Sequence, residues 1–377
     1  MSKTNNSINI SGAYSTVLQL IAASPTYYKR PSLMTLNKTT VTIPANTQIN
    51  IGGNGYISLS NTSLALSAVA TAANRAGKNI YVYACQPSSG ISPTFVLSTS
   101  STVPSGYTAT TSRKIGGFHC LCAAVGTISG HTLSGYATGD AIPNSQWDLL
   151  HRPVSDPEGM VYVEGIGKWV DIYLTSYNGT KLASVYGGTI ADGYSSTPFH
   201  GEKFAEYAGL CGKSLLNRDE FMVVAKGSNE GTNITDSADP GTTGGHTDTA
   251  GRRMISNYGL EDCCGVMWQW TNDIAMFGNS AAATLPSTSQ TSSTDGAQYL
   301  NGFSWQTDGR SVSNIYIDST ASLYGHSHGV VERVLVGGYW CNGSDCGSRA
   351  VAGHCLSSLR ISSHGCRLAS ESRVVCL

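Results

Sequence analysis

Charge is what this chain has least of. Only 12% of its 377 residues are charged, and 23 Lys and Arg against 24 Asp and Glu leave a formal net charge of −1. Such a balance gives no broad attraction to nucleic acid or to an anionic membrane surface, so any partner has to be recognised by local shape and polarity. Long apolar runs are missing as well. Nowhere do about eighteen apolar residues follow one another, which speaks against membrane insertion through a helix. The opening MSKTNNSINISGAY shows no basic stretch leading into an apolar one, so no signal peptide is expected. The eleven cysteines are an odd number scattered over a long chain, without the density or even spacing of a small secreted disulfide scaffold. Reduced folding in a cytoplasm follows as the expectation.

What is present points to β structure. Glycine reaches 43 residues and tyrosine 19, with Ser and Thr filling the gaps between short apolar runs. The length allows two or three domains. Residues 32–147 alternate in β-branched stretches such as TTVTIPANTQINI, KNIYVYACQ and PTFVLSTSST, each bounded by Gly, Pro or Asn, and read as a β-sandwich. Within them, TSLALSAVATAANRAGKN reads as a strand followed by a short helical turn or loop. Residues 1–31 are too few to form a core alone, yet hold the apolar YSTVLQLIAA, which suits burial between copies in an oligomer.

Two prolines and a charge cluster in QWDLLHRPVSDPEGM mark a boundary, and residues 148–377 form the remaining, α+β domain. It opens with a strand pair, MVYVEGIGKWVDIYLTSY. Two helices follow in PFHGEKFAEYAGL and NRDEFMVVAKG, the second with Asn217 and Glu220 at capping-box spacing. The run 227–251, rich in Gly, Thr and Asp, reads as a long surface loop.

Several segments invite a chemical reading. Gly212-Lys213-Ser214 is the tail of a phosphate-binding loop, but the glycine that motif requires falls at Tyr207, leaving a helix end and a strand entry. Trp270-Thr271-Asn272-Asp273 is similar to a calcium-binding Trp-Asn-Asp triplet, broken by the inserted threonine. His326 and His328 lack further ligands at zinc spacing, and Cys263-Cys264 fits a buried structural pair. The densest cluster is residues 337–367, with four cysteines and two histidines but no lysine or glutamate. Cys341 and Cys346 there could form a dithiol or a thiolate pair for a soft metal, or be ordinary loop thiols.

Four stretches, GYTATTSRKIGGFH (106–119), DPEGM (156–160), WVDIY (169–173) and TIADG (189–193), resemble the major tropism determinant family of temperate phage. These are receptor-binding tail proteins diversified by a retroelement. GVMWQW (265–270), RVLVGGYW (333–340), GSRA (347–350) and GCRL (365–368) resemble the formylglycine-generating-enzyme branch of the C-type lectin fold. The resemblance runs from about residue 40 onward. It implies an N-terminal all-β part, made of the oligomerising segment and β-sandwich, followed by a C-type lectin-like ligand-binding domain whose variable region is about 337–367.

In that family a reverse transcriptase miscopies adenines, and scattered AAC codons cannot yield Lys, Glu, Gln, Met or Trp. Between residues 339 and 366 none of these occurs except Trp340. The positions matching variable sites are Tyr339, Cys341, Asp345, Ala352, His354, Cys355, Leu359, Ile361, Ser363 and His364, with Asn342 and Arg360 as possible additions. Trp340, Gly347, Arg349, Gly365 and Arg367 match fixed scaffold, as do Cys346 and Cys366. On an extended segment Leu359, Ile361 and Ser363 would share one face; Leu359 and Ile361 also suit a core.

The function implied is recognition of a host cell-surface protein or other surface ligand by a homotrimeric virion tail fibre folded in the host cytoplasm. Neither a cofactor, a metal, catalysis nor nucleic-acid binding is expected. Two alternatives stand beside it. One is a cellular ligand-binding protein diversified by the same machinery. The other is a copper-dependent oxidase of the formylglycine-generating type using Cys341 and Cys346, although Cys341 is one position nearer Gly338 than in those enzymes.

Overall fold

The computed structural model describes residues 32–277, 315–316, 330–352 and 357–373. The expectations for residues 1–31 and for His326 and His328 lie outside these residues. The described chain is β-rich with few helices.

The first strands follow the alternation closely. In Thr40–Ile43 and Gln48–Ile51 every second side chain, Val41, Ile43, Ile49 and Ile51, is buried, while the residues between reach solvent. They pack on a four-stranded antiparallel sheet ordered Thr94–Ser98, Asn79–Cys85, Ser112–His119, Trp147–Asp148. Asn79–Cys85 is buried on both faces: Ile80, Val82 and Ala84 enter the first core, and Tyr81, Tyr83 and Cys85 meet Trp147, Met160 and Trp169 on the other side. That is why this strand reads as a continuous apolar run. TSLALSAVATAANRAGKN becomes strand Thr62–Ala65, a 3-10 turn at Leu66–Ala68 and a one-turn helix at Ala72–Arg75.

Leu121, Val125, Leu133 and Ile142 leave the first core and pack with Val161, Val170, Ile172 and Val336 in a larger one. Around it lie a four-stranded sheet ordered Met160–Val163, Lys168–Asp171, Leu368–Glu371, Ser214–Leu215, and a five-stranded sheet ordered Ile315–Tyr316, Gly347–Ala352, Val330–Gly337, Trp268–Phe277, His364–Cys366. Helix Gly201–Leu210 is tied to the second sheet by Glu202, whose carboxylate accepts two bonds of 3.0 Å from the Arg333 guanidinium. Helix Arg218–Val224 starts on the expected capping box, with Asn217 and Glu220 each accepting from the other's backbone N–H.

Two local readings are settled by packing. The Trp270–Asp273 stretch is a bulge in strand Trp268–Phe277, where the register against Val330–Gly337 jumps between Trp270 and Ile274. Its polar groups are spent on the fold: Thr271 Oγ1 donates to the Val334 carbonyl at 2.7 Å, and Asp273 Oδ2 accepts from the Arg218 N–H. The run 227–251 is an irregular stretch much of which lies at the surface, as expected, but parts of it are inserted into the fold. Ser228, Asn229, Asn233, Thr243 and Asp248 are buried. Asn229 Nδ2 donates to the carbonyls of Thr232 and Cys264, and Asp248 Oδ1 accepts from the N–H groups of Ala250 and Arg252. Short polar side chains that satisfy nearby backbone can be buried at little cost.

Candidate functional site

The candidate site grows from the end of strand Val330–Gly337. There the chain leaves the sheet through Gly337 and Gly338, both with positive φ, and returns as strand Gly347–Ala352. Gly338 has φ +80, and a Cβ there would lie 2.9 Å from Cys346 Sγ and 3.0 Å from Cys346 Cα, so the two ends of the loop touch at a point where only glycine fits. The Gly265 N–H donates to the carbonyls of Gly337 and Gly338. Within the loop, Asn342 Oδ1 accepts from the Tyr339 N–H at 2.9 Å and the Asn342 N–H returns to the Tyr339 carbonyl, after which Gly343–Asp345 makes a 3-10 turn.

The polar run 227–251 holds this loop from one side. Asn233 Nδ2 donates to the Trp340 carbonyl, the Gly231 N–H donates to the Cys346 carbonyl, and the Glu230 carboxylate accepts from the N–H and hydroxyl of Ser348. The Trp340 ring lies against the cluster of Leu174, Ile190, Met254 and Met267 and meets Tyr339 edge-on at 5.2 Å. What remains outward is the crown of the loop. Cys341 and Ser344 are exposed, while Tyr339, Asn342 and Asp345 are half-buried. The Cys341 thiol donates to the Ser237 carbonyl at 3.3 Å.

A second segment, residues 357–363, has Ser358 and Arg360 exposed and Leu359, Ile361 and Ser362 half-buried. Gly193 fixes its height. The Gly193 N–H donates to the Ile361 carbonyl at 3.1 Å, and a Cβ on Gly193 would fall 2.2 Å from the Ile361 nitrogen, so the backbone of 360–361 rests directly on this glycine. Gly193 and the supporting Glu230, Asn233 and Ser237 are the residues that sequence reasoning missed. The TIADG stretch was the available signal for the first; a composition that looked like a surface loop hid the others.

Three of the sequence-derived display positions are placed differently. Ala352 is 1% exposed and sits in the sheet opposite Leu335, within the cluster that holds Trp268 and Trp270. His364 is 4% exposed; it begins a strand parallel to Trp268–Trp270, and its ring meets Trp270 edge-on at 5.2 Å. Ser363 is buried, with its carbonyl accepting from the Trp268 N–H at 2.9 Å. The extended segment on which Leu359, Ile361 and Ser363 would share one face is not formed: 359–361 is irregular and 362–363 is a turn. His354 and Cys355 lie outside the described residues.

Of the fixed positions, Cys346, Gly347, Gly365, Cys366 and Arg367 are buried and Trp340 and Arg349 half-buried. Arg367 is 1% exposed, and its guanidinium donates to the carbonyls of Asp171 at 2.8 Å, Ile172 at 2.6 Å and Glu261. One buried cation thereby ties three backbone segments together. Cys366 donates to Thr175 Oγ1 at 3.2 Å, and burial pushes its thiol far above the usual range. Cys263 and Cys264 are fully buried free thiols raised by the same cause.

For the two thiols of the oxidase reading the surroundings are opposite. Cys341 is exposed, whereas Cys346 is fully buried, donates to the Tyr339 carbonyl at 3.4 Å, and is pushed up to about 12 by burial. A thiol held protonated at neutral pH is the reverse of an activated thiolate. Among the described residues no group of three or more His, Cys, Asp or Glu side chains is placed to hold a metal ion, and no helix is long and apolar enough to cross a membrane.

Comparison with known proteins gives three findings. Residues 31–148 match the family described as the Mtd second domain. The tail fiber receptor-binding protein of Bordetella phage BPP-1 is 32% identical over 253 residues, which make up 62% of this chain and 63% of that relative, so the match spans less than two thirds of the relative's length. Among solved structures, the Major Tropism Determinant U1 variant superimposes with a TM-score of 0.65 at 25% identity, over 92% of this chain and 84% of that one. The P3c variant does so with a TM-score of 0.64 at 26% identity and the same coverage.

Proposed function

We propose that this chain, which is major tropism determinant-like, is the receptor-binding protein of a phage tail fibre and grips a host-surface ligand through an exchangeable surface on a C-type lectin fold. One observation carries the reading. The loop 338–346 and the segment 357–363 are anchored by close glycine contacts and backbone hydrogen bonds, while the side chains of Cys341, Ser344 and Arg360 face solvent. Side chains on such a support can change without moving it, which is what diversification by a retroelement requires.

In this reading Tyr339, Cys341, Asp345, Leu359 and Ile361 form the contact surface, with Asn342 and Arg360 beside them. Ala352, Ser363 and His364 shape it from beneath, and His354 and Cys355 belong to the same variable region. Residues 1–31 join three copies into a homotrimer, residues 32–147 form the intermediate β domain and residues 148–377 the ligand-binding domain. Three sites on one fibre multiply a weak single-site affinity. The protein acts in the virion tail by binding, without a chemical step, a membrane span or nucleic acid.

The test is competition for adsorption. Purified full-length chain, added in excess, should block attachment of the phage that carries it to the bacterium it infects. Unchanged attachment at saturating protein would refute the receptor-binding role.

A further inference from the structure

Beside the exchangeable surface stands an aromatic side chain that no variable position supplies. Tyr194 is 75% exposed, against 44% for Tyr186. It directly follows Gly193, the residue on which the backbone of 360–361 rests, so its backbone adjoins that segment of the site. Its own backbone is held stiffly: Asp192 Oδ1 accepts from the N–H groups of Tyr194 at 2.7 Å and Ser195 at 2.6 Å, and from the Ser195 hydroxyl at 3.0 Å. In the segment that rests on Gly193, Leu359 and Ile361 are half-buried and apolar, and Arg360 is the charged side chain.

Resting on the receptor-binding reading above, we infer that Tyr194 is a constant anchor of the ligand site, a fixed aromatic contact that serves whichever side chains occupy the variable positions. A large ring left in water on a rigid support gives little to folding and much to binding, because few rotamers are lost when it is covered. Tyrosine is enriched among the side chains that dominate interfaces. An apolar, weakly charged surface of this kind fits a folded protein that offers an apolar side chain to the ring; Arg360, the one Lys or Arg in 338–346 and 357–363, is a poor match for a phosphorylated or sulfated ligand. The variable residues then choose the partner and Tyr194 adds a shared increment of affinity to all of them.

The test uses the full-length chain with Tyr339, Cys341, Asp345, Leu359 and Ile361 randomised, displayed, and selected separately against hen lysozyme, streptavidin and serum albumin. In independent binders, Tyr194→Ala should weaken binding about tenfold or more, while Tyr194→Phe stays within about twofold. The melting temperature of both variants should match the parent, since the side chain is exposed. If Tyr194→Ala leaves binding unchanged in binders to all three proteins, the anchor role is wrong and the exchangeable surface stands. If selection yields no binders, while the unselected library folds, the exchangeable surface itself is refuted and the anchor role with it.

Discussion

Gly338 rests against Cys346, so closely that a Cβ at position 338 would lie 2.9 Å from the cysteine sulfur. The contact closes the displayed loop at its neck. Gly338→Ala therefore meets two obstacles, a backbone at φ +80 and a collision with a buried thiol. Gly343 offers the control, with φ +55 and nothing near its missing Cβ. Urea unfolding should show Gly338→Ala destabilised by about 2–4 kcal/mol and Gly343→Ala by about 1 kcal/mol. Equal losses for the two would mean that the neck contact contributes nothing.

Exchange at the crown should be nearly silent for folding. Cys341→Ser and Asp345→Asn each ought to shift stability by no more than about half a kcal/mol. His364→Ala, which removes a buried ring from the edge of Trp270, should cost about 2–3 kcal/mol. Thermal melts of the three variants check both statements, and a silent His364→Ala would show that this position belongs to the displayed surface after all.

These contrasts show what was legible in the amino-acid order. The helix start at Asn217 and Glu220 and the strand Gln48–Ile51 could be read directly, because capping and two-residue alternation are local. The resemblance directed attention to residues 337–367. Which of them are exposed and which are buried was not legible, since burial of His364 depends on strand pairing with Trp268–Trp270, and that pairing joins residues far apart in the chain. The alternation at Leu359, Ile361 and Ser363 misled because the segment turns instead of extending. The supports Glu230 and Asn233 were hidden by composition: a polar run whose side chains bond to backbone looks the same on paper as one in water.

Stability should fall in mild acid through His119. Its ring is buried between Asn79 Oδ1 at 2.8 Å and the Tyr173 hydroxyl at 2.9 Å, and burial lowers its pKa from 6.5 to about 3. The unfolded chain then binds a proton that the folded chain refuses, so the contribution is fully present above pH 6.5 and is lost as pH falls toward 3. The slope is about 1.4 kcal/mol per pH unit, or about 2 kcal/mol between pH 6.5 and 5. Urea midpoints at the two pH values should show this loss in the parent chain and a clearly smaller one in His119→Gln. The same loss in both would place the acid sensitivity elsewhere.

The central claim, that a fixed scaffold carries a surface made to be rewritten, is tested most directly by sequencing the DNA flanking the gene. The expected result is a near-repeat of the codons for residues 337–367, with adenines where the protein has Tyr339, Cys341, Asp345, Leu359 and Ile361, and matching codons at Gly338, Gly347, Arg349 and Arg367. Flanking DNA without such a repeat, or a repeat whose adenine differences fall on the scaffold codons, would contradict the claim.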